Sequence, residues 1–281
     1  MEFWIRTATI QIGAKKYSLD DLNFDFEVPF EDSEELATAT INAYNLSEAT
    51  RKGIKKGDPV IINAGYEGDM GVIFVGQVSG LSHKRSTTDW QTKITATEAL
   101  DEWLTAQINK TYQKGIKAKA MLQDLLNIFG IEIGTFELAI DKEYPRGKVC
   151  KGKLKDVLTE IVVSDCKSRF LIRCGKIIIN NPQDGVNKGY LLSPNTGLLR
   201  SDEEQEVIRI ETELDTKKTT DQKGEEAATK KRRSLMNYHL GPADLIKIQS
   251  KDLNGRFMIV RGTHKGSQSG DWVTEIEVKP A

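Results

Sequence analysis

Apolar and polar residues alternate along the first hundred residues, which predicts β-strands there. In residues 23–30 every second position is apolar: Phe24, Phe26, Val28 and Phe30. Further strands are predicted at residues 37–44, 59–66, 72–79 and 91–97, with a turn at 67–71 and a polar loop at 83–89. A single helical turn fits within residues 47–57. Several short strands without a helical period predict a small antiparallel barrel or sandwich.

Helical spacing replaces this alternation in the middle of the chain. Three helices are predicted, at residues 99–108, 116–129 and 153–166. Gly130 stands after the second helix, where a left-handed C-terminal cap is expected. A hairpin follows the third helix, with strands at residues 169–173 and 176–180. Helices and strands in this order predict a small α/β unit.

Alternation returns in the last third. Strands are predicted at residues 205–213, 245–250, 256–263 and 272–278. The last three form a meander, and its first turn contains Asn254-Gly255, a strong hairpin signal. Residues 215–233 hold seven basic and four acidic residues and almost no apolar ones, so this segment cannot order by burying its own surface. It is predicted to be an exposed loop or a segment that orders only against a neighbour.

These patterns predict a mainly β protein with an α/β insert. Three domains are expected: a β domain at residues 1–98, a helical and α/β domain at 99–188, and a second β domain at 189–281 that contains the charged loop 215–233. The two β domains are of similar size and show no detectable sequence repeat.

The charge balance argues against a dedicated nucleic-acid binder. The 281 residues include 40 Lys plus Arg and 41 Asp plus Glu, a net charge of −1, whereas such binders carry a basic excess or stripe. The first residues lack the pattern of a secretory signal, and no apolar stretch approaches the roughly 20 residues that span a bilayer. Cys150, Cys166 and Cys174 are odd in number, which predicts free thiols in a reducing cell interior.

Residue types that carry catalysis or bind metals do not converge in the sequence. Neither His83 nor His239 nor His264 has a second His or Cys at metal-ligand spacing. The carboxylate clusters near residues 31–35 and 202–206 lack the spacing of a calcium loop. No phosphate-binding loop precedes a helix, and the basic run at 230–233 has no interleaved aromatic residues. We therefore expect no catalytic, cofactor-binding or metal-binding residues.

A series of short motifs resembles a known family in order and spacing. In the first domain these are NLS at residues 45–47, IKKGD at 54–58, INAGYEG at 62–68 and VIFVGQV at 72–78. Later motifs lie within residues 147–158, 195–199 and 244–272. Together they resemble baseplate hub proteins of contractile phage tails and phage-tail-like particles, including those of PBSX-like prophages and R-type bacteriocins. Residues 215–233 and 237–243 depart from the family pattern.

This resemblance implies a structural protein rather than an enzyme. Two small, antiparallel, tail-tube-like β-barrels would flank the α/β domain, and three chains would form a pseudo-sixfold ring between the tail tube and the central spike. The implied partners are further copies of the chain, the tail tube protein, the trimeric spike protein, a LysM-type baseplate adaptor, wedge proteins and the tape-measure protein. No membrane and no sequence-specific nucleic acid is implied. The implied location is the baseplate of a virion or tail-like particle, assembled in the bacterial cytoplasm without a signal peptide.

The loops at residues 83–89 and 215–233 are expected to contact neighbouring subunits. The contact residues expected there are Lys84, Arg85, Lys217, Lys218, Lys230, Lys231 and Arg232. Two other function classes stay open: a tail-associated enzyme that degrades cell walls, and a tail module that binds carbohydrate or a receptor. The missing acid–base constellation argues against the first, and the dispersed tryptophans and the α/β insert argue against the second.

Overall fold

The computed structural model describes residues 5–33, 35–86, 89–98, 106–129, 132–199, 230–251 and 253–281. Its first third contains seven strands and one short helix. The strands are β1 (Arg6–Ile12), β2 (Lys15–Ser18), β3 (Phe24–Glu31), β4 (Thr38–Tyr44), β5 (Pro59–Tyr66), β6 (Asp69–Ser86) and β7 (Asp89–Thr97). Helix α1 (Glu48–Gly53) lies between β4 and β5, and the side chain of Ser47 caps it by accepting a hydrogen bond from the Thr50 amide.

The middle third contains short strands and two helices. Its elements are β8 (Gln107–Tyr112), β9 (Ile116–Lys117), α2 (Ala118–Phe129), β10 (Glu132–Phe136), β11 (Glu143–Tyr144), β12 (Lys148–Lys153), α3 (Leu154–Thr159), β13 (Arg169–Arg173) and β14 (Lys176–Asn180). A π-helical turn, Glu160–Asp165, extends α3. The strands β10, β14 and β13 form a three-stranded sheet, and β8 pairs with β12 and β9 with β11.

The last third adds five strands to the sheet of the first third. These are β15 (Lys188–Leu192), β16 (Lys230–Leu235), β17 (Leu245–Gln249), β18 (Asn254–Ser267) and β19 (Trp272–Pro280). The order in the resulting sheet is β15-β17-β18-β3-β4-β7-β6-β5-β1-β2, and β19 pairs with both β18 and β16. One twelve-stranded sheet therefore runs through both β thirds. The division into two barrels stays a prediction.

Strand β18 joins the two β thirds because its glycines leave room for aromatic rings of β3. Its residues Arg261–Ser267 pair with Glu31–Asp25 of β3, antiparallel. A Cβ atom on Gly262 would lie 2.5 Å from the ring of Phe30, and one on Gly266 would lie 2.3 Å from the ring of Phe26. Both distances are shorter than van der Waals contact, so only glycine allows this close approach.

Buried apolar side chains form three large clusters and one small cluster among the described residues. The first lies within the first β third, the second between the helices and strands of the middle third, and the third beneath β15 to β19. Trp272 of β19 belongs to the first cluster, where its Nε1 donates to the carbonyl of Gly65 at 3.2 Å. Its ring meets that of Phe26 edge to face. The last third thus contributes to the core of the first.

Most predicted strands and helices are present, and four local predictions are wrong. Residues 83–86 extend β6 rather than forming a loop, because backbone pairing with β7 continues to Ser86 and Asp89 whatever the side-chain polarity. Gln107 and Ile108 lie in β8 instead of a helix, and Ile108 pairs with Gly152 of β12.

The third difference concerns Asn254-Gly255, which begins β18 instead of forming the turn. The turn lies one step earlier, where the Ser250 amide donates to the Leu253 carbonyl and the Ser250 hydroxyl accepts from the Leu253 amide. Lys230 to Arg233, predicted to belong to the charged loop, are part of β16. The predicted helix at 99–105, the cap at Gly130, the strand at 205–213 and the rest of the charged loop lie outside the described residues.

Candidate assembly interface

Strand β6 extends past the end of β5, and we call this part of the hairpin the arm: residues 79–86 of β6 and residues 89–93 of β7, which stays paired with β4 as far as Gln91. The pairing of β5 with β6 ends at Gln77, and the loop before β5 bonds to Val78. Beyond that point β6 pairs with β7 alone among the described strands. Gly80 to Ser86 therefore form a free strand edge, the kind of edge that pairs readily with another chain.

The arm carries two of the predicted contact residues, Lys84 and Arg85, and both are exposed. Lys93 is exposed on the neighbouring strand. None of these three cations forms an ion pair within the described part of the chain. The charge of the arm is therefore available to a partner.

An aromatic side chain stiffens the far end of the arm, next to the turn between β6 and β7. Trp90 pairs with Arg85 across the strands, and the guanidinium of Arg51 in α1 stacks over its ring at 4.3 Å. The Trp90 amide donates to the Asn45 side chain, whose amide group donates to Asp89. His83 shares a hydrogen bond with Thr92 at 3.1 Å. These contacts hold the arm against α1 and leave its β6 edge uncovered.

The predicted contact residues on β16 have a different environment. Lys231 pairs with Glu277 at 3.4 Å. Arg232 is 9% exposed, and its guanidinium donates to the Lys231 carbonyl. Lys230 begins the strand, while Lys217 and Lys218 lie outside the described residues.

Acidic neighbours also neutralise the next basic residues of this surface. Arg233 donates to Asp271 at 2.7 Å and lies 3.5 Å from Glu275. Arg261 of β18 donates to Glu277 at 2.7 Å. The basic run of β16 is thus matched by acidic residues of its own sheet, unlike the cations of the arm.

The three thirds meet at a buried polar junction that the sequence does not reveal. It consists of Glu98 after β7, Arg173 and Cys174 of the β13–β14 hairpin, Asp244 before β17, and His264 of β18. Cys174 has a left-handed backbone, φ 49°, and its amide donates to Glu98 at 2.9 Å. Arg173 donates to Asp244 at 2.8 Å, and Asp244 also accepts from two backbone amides. The hairpin tip is therefore fixed to both β thirds.

Burial controls the protonation of this junction. It raises the pKa of Glu98 from 4.5 to about 7, against the opposing effect of the Cys174 amide. It also raises the pKa of the Cys174 thiol to about 11, so the thiol stays protonated at neutral pH and is a poor nucleophile. Burial and nearby Arg173 lower the pKa of His264 to about 3, and this neutral ring shares a hydrogen bond with Thr274. The arrangement fixes domains in place and offers no activated nucleophile.

A second buried contact links the thirds through Arg169 of β13. Its Nε lies 2.9 Å from a carboxylate oxygen of Asp32, just after β3, and both side chains are largely buried. Its other nitrogens donate to the carbonyls of Asp184 and Pro182 and to the side chain of Asn180. Asp32 balances a buried positive charge, so this pair holds the middle third against the first.

No group of three or more His, Cys, Asp or Glu side chains among the described residues is placed to hold a metal ion. No described helix is both long and apolar enough to cross a bilayer. Cys150, Cys166 and Cys174 are free thiols, as their odd number predicts.

Comparison with known proteins gives a consistent fold. No protein-family model matches the sequence, and no curated protein sequence matches it either. Among solved structures, the 43 kDa tail protein of prophage MuSo2 from Shewanella oneidensis matches at TM-score 0.69 and 10% identity, covering 98% of this chain and 98% of that one. The tail protein from Neisseria meningitidis MC58 matches at TM-score 0.66 and 9% identity, covering 98% and 97%.

A third similar structure comes from a secretion machine. It is the Escherichia coli c3393 protein, a component of the type VI secretion system with structural similarity to the T4 bacteriophage tail proteins gp27 and gp5. The match has TM-score 0.63 and 14% identity, and covers 97% of this chain and 76% of that one. These likenesses extend over nearly the whole chain, so the resemblance to tail proteins seen in the sequence is confirmed at the level of the fold. The chain has the fold of phage tail proteins.

Proposed function

We propose that this protein is a structural baseplate hub subunit. Three copies form a pseudo-sixfold ring that joins the tail tube to the central spike of a contractile phage tail or a tail-like particle. The observation that carries the proposal is the single sheet shared by both β thirds through β18 and β3, in a chain that tail proteins match over 98% of its length. Because the first and last thirds of the chain share one sheet, each subunit can contribute two adjacent β domains to a ring.

The proposed domain division follows the sequence. Residues 1–98 and 189–281 form two tail-tube-like barrels, and residues 99–188 form the α/β domain between them. Buried contacts at the three-way junction and at Arg169 support a fixed arrangement of the three. A trimer of such subunits presents six barrels to a sixfold tube and keeps threefold symmetry for the spike.

The sheet order offers a way to close the ring. Its path begins at β15 and ends at β2, with a branch through β19 to β16, so among the described strands β15 and β2 each pair on one side only. A head-to-tail contact between unlike ends of neighbouring copies closes into a ring when the rotation per subunit permits. Unpaired edges of this kind are protected when they are covered in an assembly.

The proposed partners follow from this role. They are other copies of the chain, the tail tube protein, the trimeric spike, a LysM-type adaptor, wedge proteins and the tape-measure protein. The proposed location is the baseplate, reached by assembly in the bacterial cytoplasm. The role needs no catalysis, and the similar structures named as tail proteins support a structural part. Lys84 and Arg85 on the exposed arm are the described contact residues that the geometry favours most.

Sedimentation and cell-wall clearing test the proposal together. We expect the purified protein to form a concentration-dependent species of three times the monomer mass and to leave a cell-wall suspension turbid. A monomer at every concentration would contradict the ring, and clearing of the suspension would contradict the structural role. Neither outcome depends on the other.

The charged segment allows a second test that spares β16. Deletion of residues 216–229 keeps strand Lys230–Leu235 and its pairing with β19. We expect this variant to fold but to reduce the yield of assembled particles, measured by electron microscopy. Normal yield would remove the segment from the proposed contacts. A deletion that also removes residues 230–232 is unsuitable because it destroys a strand.

A further inference from the structure

Unpaired backbone and unpaired cations lie together on the arm. The outer edge of β6 from Gly80 to Ser86 has no backbone partner among the described residues, and at about 3.4 Å per residue it is about 20 Å long. Lys84 and Arg85 on this edge and Lys93 on β7 are exposed and form no ion pair within the described part of the chain. An added strand would pair with the backbone, and carboxylates would pair with the side chains.

The cations of the arm point to both faces of the hairpin. Lys84 is paired with Gln91, which lies two positions from Lys93, so the two lysines share one face. Arg85 is paired with Trp90 and points to the opposite face. A partner strand therefore meets cations on both of its faces when acidic residues occupy consecutive positions.

A further cation lies where the free edge begins. The loop before β5 covers β6 at Val78, where the Gly57 amide donates to the Val78 carbonyl and the Val78 amide donates to the Asp58 carbonyl. Lys55 of this loop is exposed, and its backbone amide donates to the Asp58 side chain at 2.8 Å. Positive side chains therefore lie near both ends of the edge.

The described strands at the two ends of the large sheet do not complement this edge. Strand β2 carries Lys15 and Lys16, strand β15 carries Lys188, and neither contains a carboxylate. Like charges on directly paired strands repel. A segment of a different protein that brings its own carboxylates fits the edge better than an end strand of a second copy.

Two observations favour a polypeptide over a nucleic acid at the arm. The free edge presents carbonyls as well as amides, and a phosphate has no proton to donate to a carbonyl, whereas a strand pairs with both groups. The ring of Trp90 is covered by the guanidinium of Arg51 at 4.3 Å, so it is not available to stack on a base. The chemistry of the edge therefore favours an acidic protein segment.

We infer that the free β6 edge of the arm binds an extended acidic segment of a partner protein, which adds to the sheet as a strand. The inference rests on the proposed assembly role and names the chemistry of one partner within it. Backbone hydrogen bonds supply affinity, and consecutive carboxylates meet Lys84 and Arg85 on opposite faces. Trp90, held by Arg51 and Asn45, keeps the edge extended before the partner binds, which lowers the cost of ordering it.

Fluorescence anisotropy with synthetic peptides tests the inference on the full-length protein. The probe is a labelled peptide of about eight residues, close to the length of the edge, in which adjacent pairs of glutamates alternate with valine or threonine. We expect saturable binding, and binding about tenfold weaker when glutamine replaces glutamate. Absence of binding to the acidic peptide would overturn the inference.

Two further probes separate strand addition from charge attraction alone. Methyl groups on the central backbone nitrogens of both peptide edges keep the charge and remove hydrogen bonds, so we expect binding about tenfold weaker. A single-stranded oligothymidylate of equal charge is expected to bind more weakly than the acidic peptide. Equal binding of the methylated peptide, or tighter binding of the oligonucleotide, would contradict strand addition by an acidic segment.

Charge reversal on the protein locates the binding site. Lys84→Glu with Arg85→Glu is expected to weaken binding of the acidic peptide about tenfold. The matched control is Lys247→Glu with Arg256→Glu, an exposed cross-strand pair that changes the net charge equally and lies where β17 and β18 are paired inside the large sheet. We expect the control to bind like wild type. Equal weakening by the control, or an arm variant that binds normally, rejects the arm as the site.

Sedimentation of the same variants distinguishes this inference from the ring. An arm variant that loses peptide binding but self-associates like wild type supports a partner protein at the edge. An arm variant whose self-association weakens about tenfold assigns the edge to a second copy, which overturns the inference and keeps the ring. A wild-type protein that binds the peptide but stays monomeric keeps the strand contact and rejects the ring.

Discussion

Raising the pH from 4.5 to 8 is expected to destabilise the junction at Glu98. The folded protein holds the Glu98 proton up to a pKa of about 7, while the unfolded chain releases it near 4.5. Between these values the unfolded state has fewer bound protons, so each rise in pH favours unfolding. The difference corresponds to about 3 kcal/mol of unfolding free energy, fully lost once the pH passes about 7.

Urea denaturation at a series of pH values measures this effect when wild type is compared with Glu98→Gln. The glutamine still presents an oxygen to the Cys174 amide but carries no charge. We expect equal unfolding free energies near pH 4.5 and a variant about 3 kcal/mol more stable at pH 8. Glu67→Gln, in the exposed turn before β6, is the matched control and is expected to follow wild type. A constant difference between Glu98→Gln and wild type across this range would refute the reasoning.

Three further substitutions test the contacts that hold the thirds together. Arg169→Met leaves Asp32 buried without its partner, and we expect urea denaturation to show a loss of about 3–5 kcal/mol. Gly266→Ala forces a Cβ against a phenylalanine ring and is expected to cost about 1–3 kcal/mol by the same assay, while Gly53→Ala, with open space around it, costs little. Burial opposes ionisation of Asp165, but hydrogen bonds from Lys142, Tyr144 and Lys148 lower its pKa to about 2. The ionised carboxylate therefore stabilises the folded state above pH 3.8, and this stabilisation is lost as the pH falls through about 2. Asp165→Asn removes it, so acid denaturation followed by circular dichroism is expected to begin at a higher pH than in wild type.

Local patterns predict those elements that local forces stabilise. Strand β3 follows from the alternation of Phe24, Phe26 and Val28, which places apolar side chains on one face. Helix α2 follows from apolar spacing, and its buried residues Met121, Leu122 and Leu125 are those of the predicted stripe. In both cases the pattern predicts which face of the element is buried, and that face packs into a hydrophobic cluster in the structure.

Errors arose where backbone pairing or a neighbouring element overrides side-chain polarity. Residues 83–86 are polar, yet they continue β6 because β7 pairs with them along the hairpin. Strands β1 and β2 were not predicted, although β1 alternates and pairs with β5 along its whole length. Asn254-Gly255 is a strong turn signal, but Ser250 forms the turn first through its own hydroxyl.

The candidate interface was predicted in part. Lys84 and Arg85 were predicted to be contact residues because they lie in a polar segment that was expected to form a loop. In the structure both are exposed, but they lie on the edge of a strand. Lys231 and Arg232 were chosen from a basic run, and the structure surrounds that run with acidic residues of β19. Whether a cation is free or matched depends on residues distant in sequence, so composition alone cannot decide it.

By itself, the sequence determined that the protein is mainly β and where most of its strands lie, because alternation and helical spacing report directly which face is buried. The tertiary structure alone decided that β18 pairs with β3, that Trp272 enters the first core, and that Glu98 and His264 lie at one junction. These outcomes depend on contacts between residues far apart in the chain. An example is the close approach of Gly262 and Gly266 to the rings of Phe30 and Phe26. No local pattern encodes such a pairing, because its free energy is shared between two segments that become neighbours only after folding.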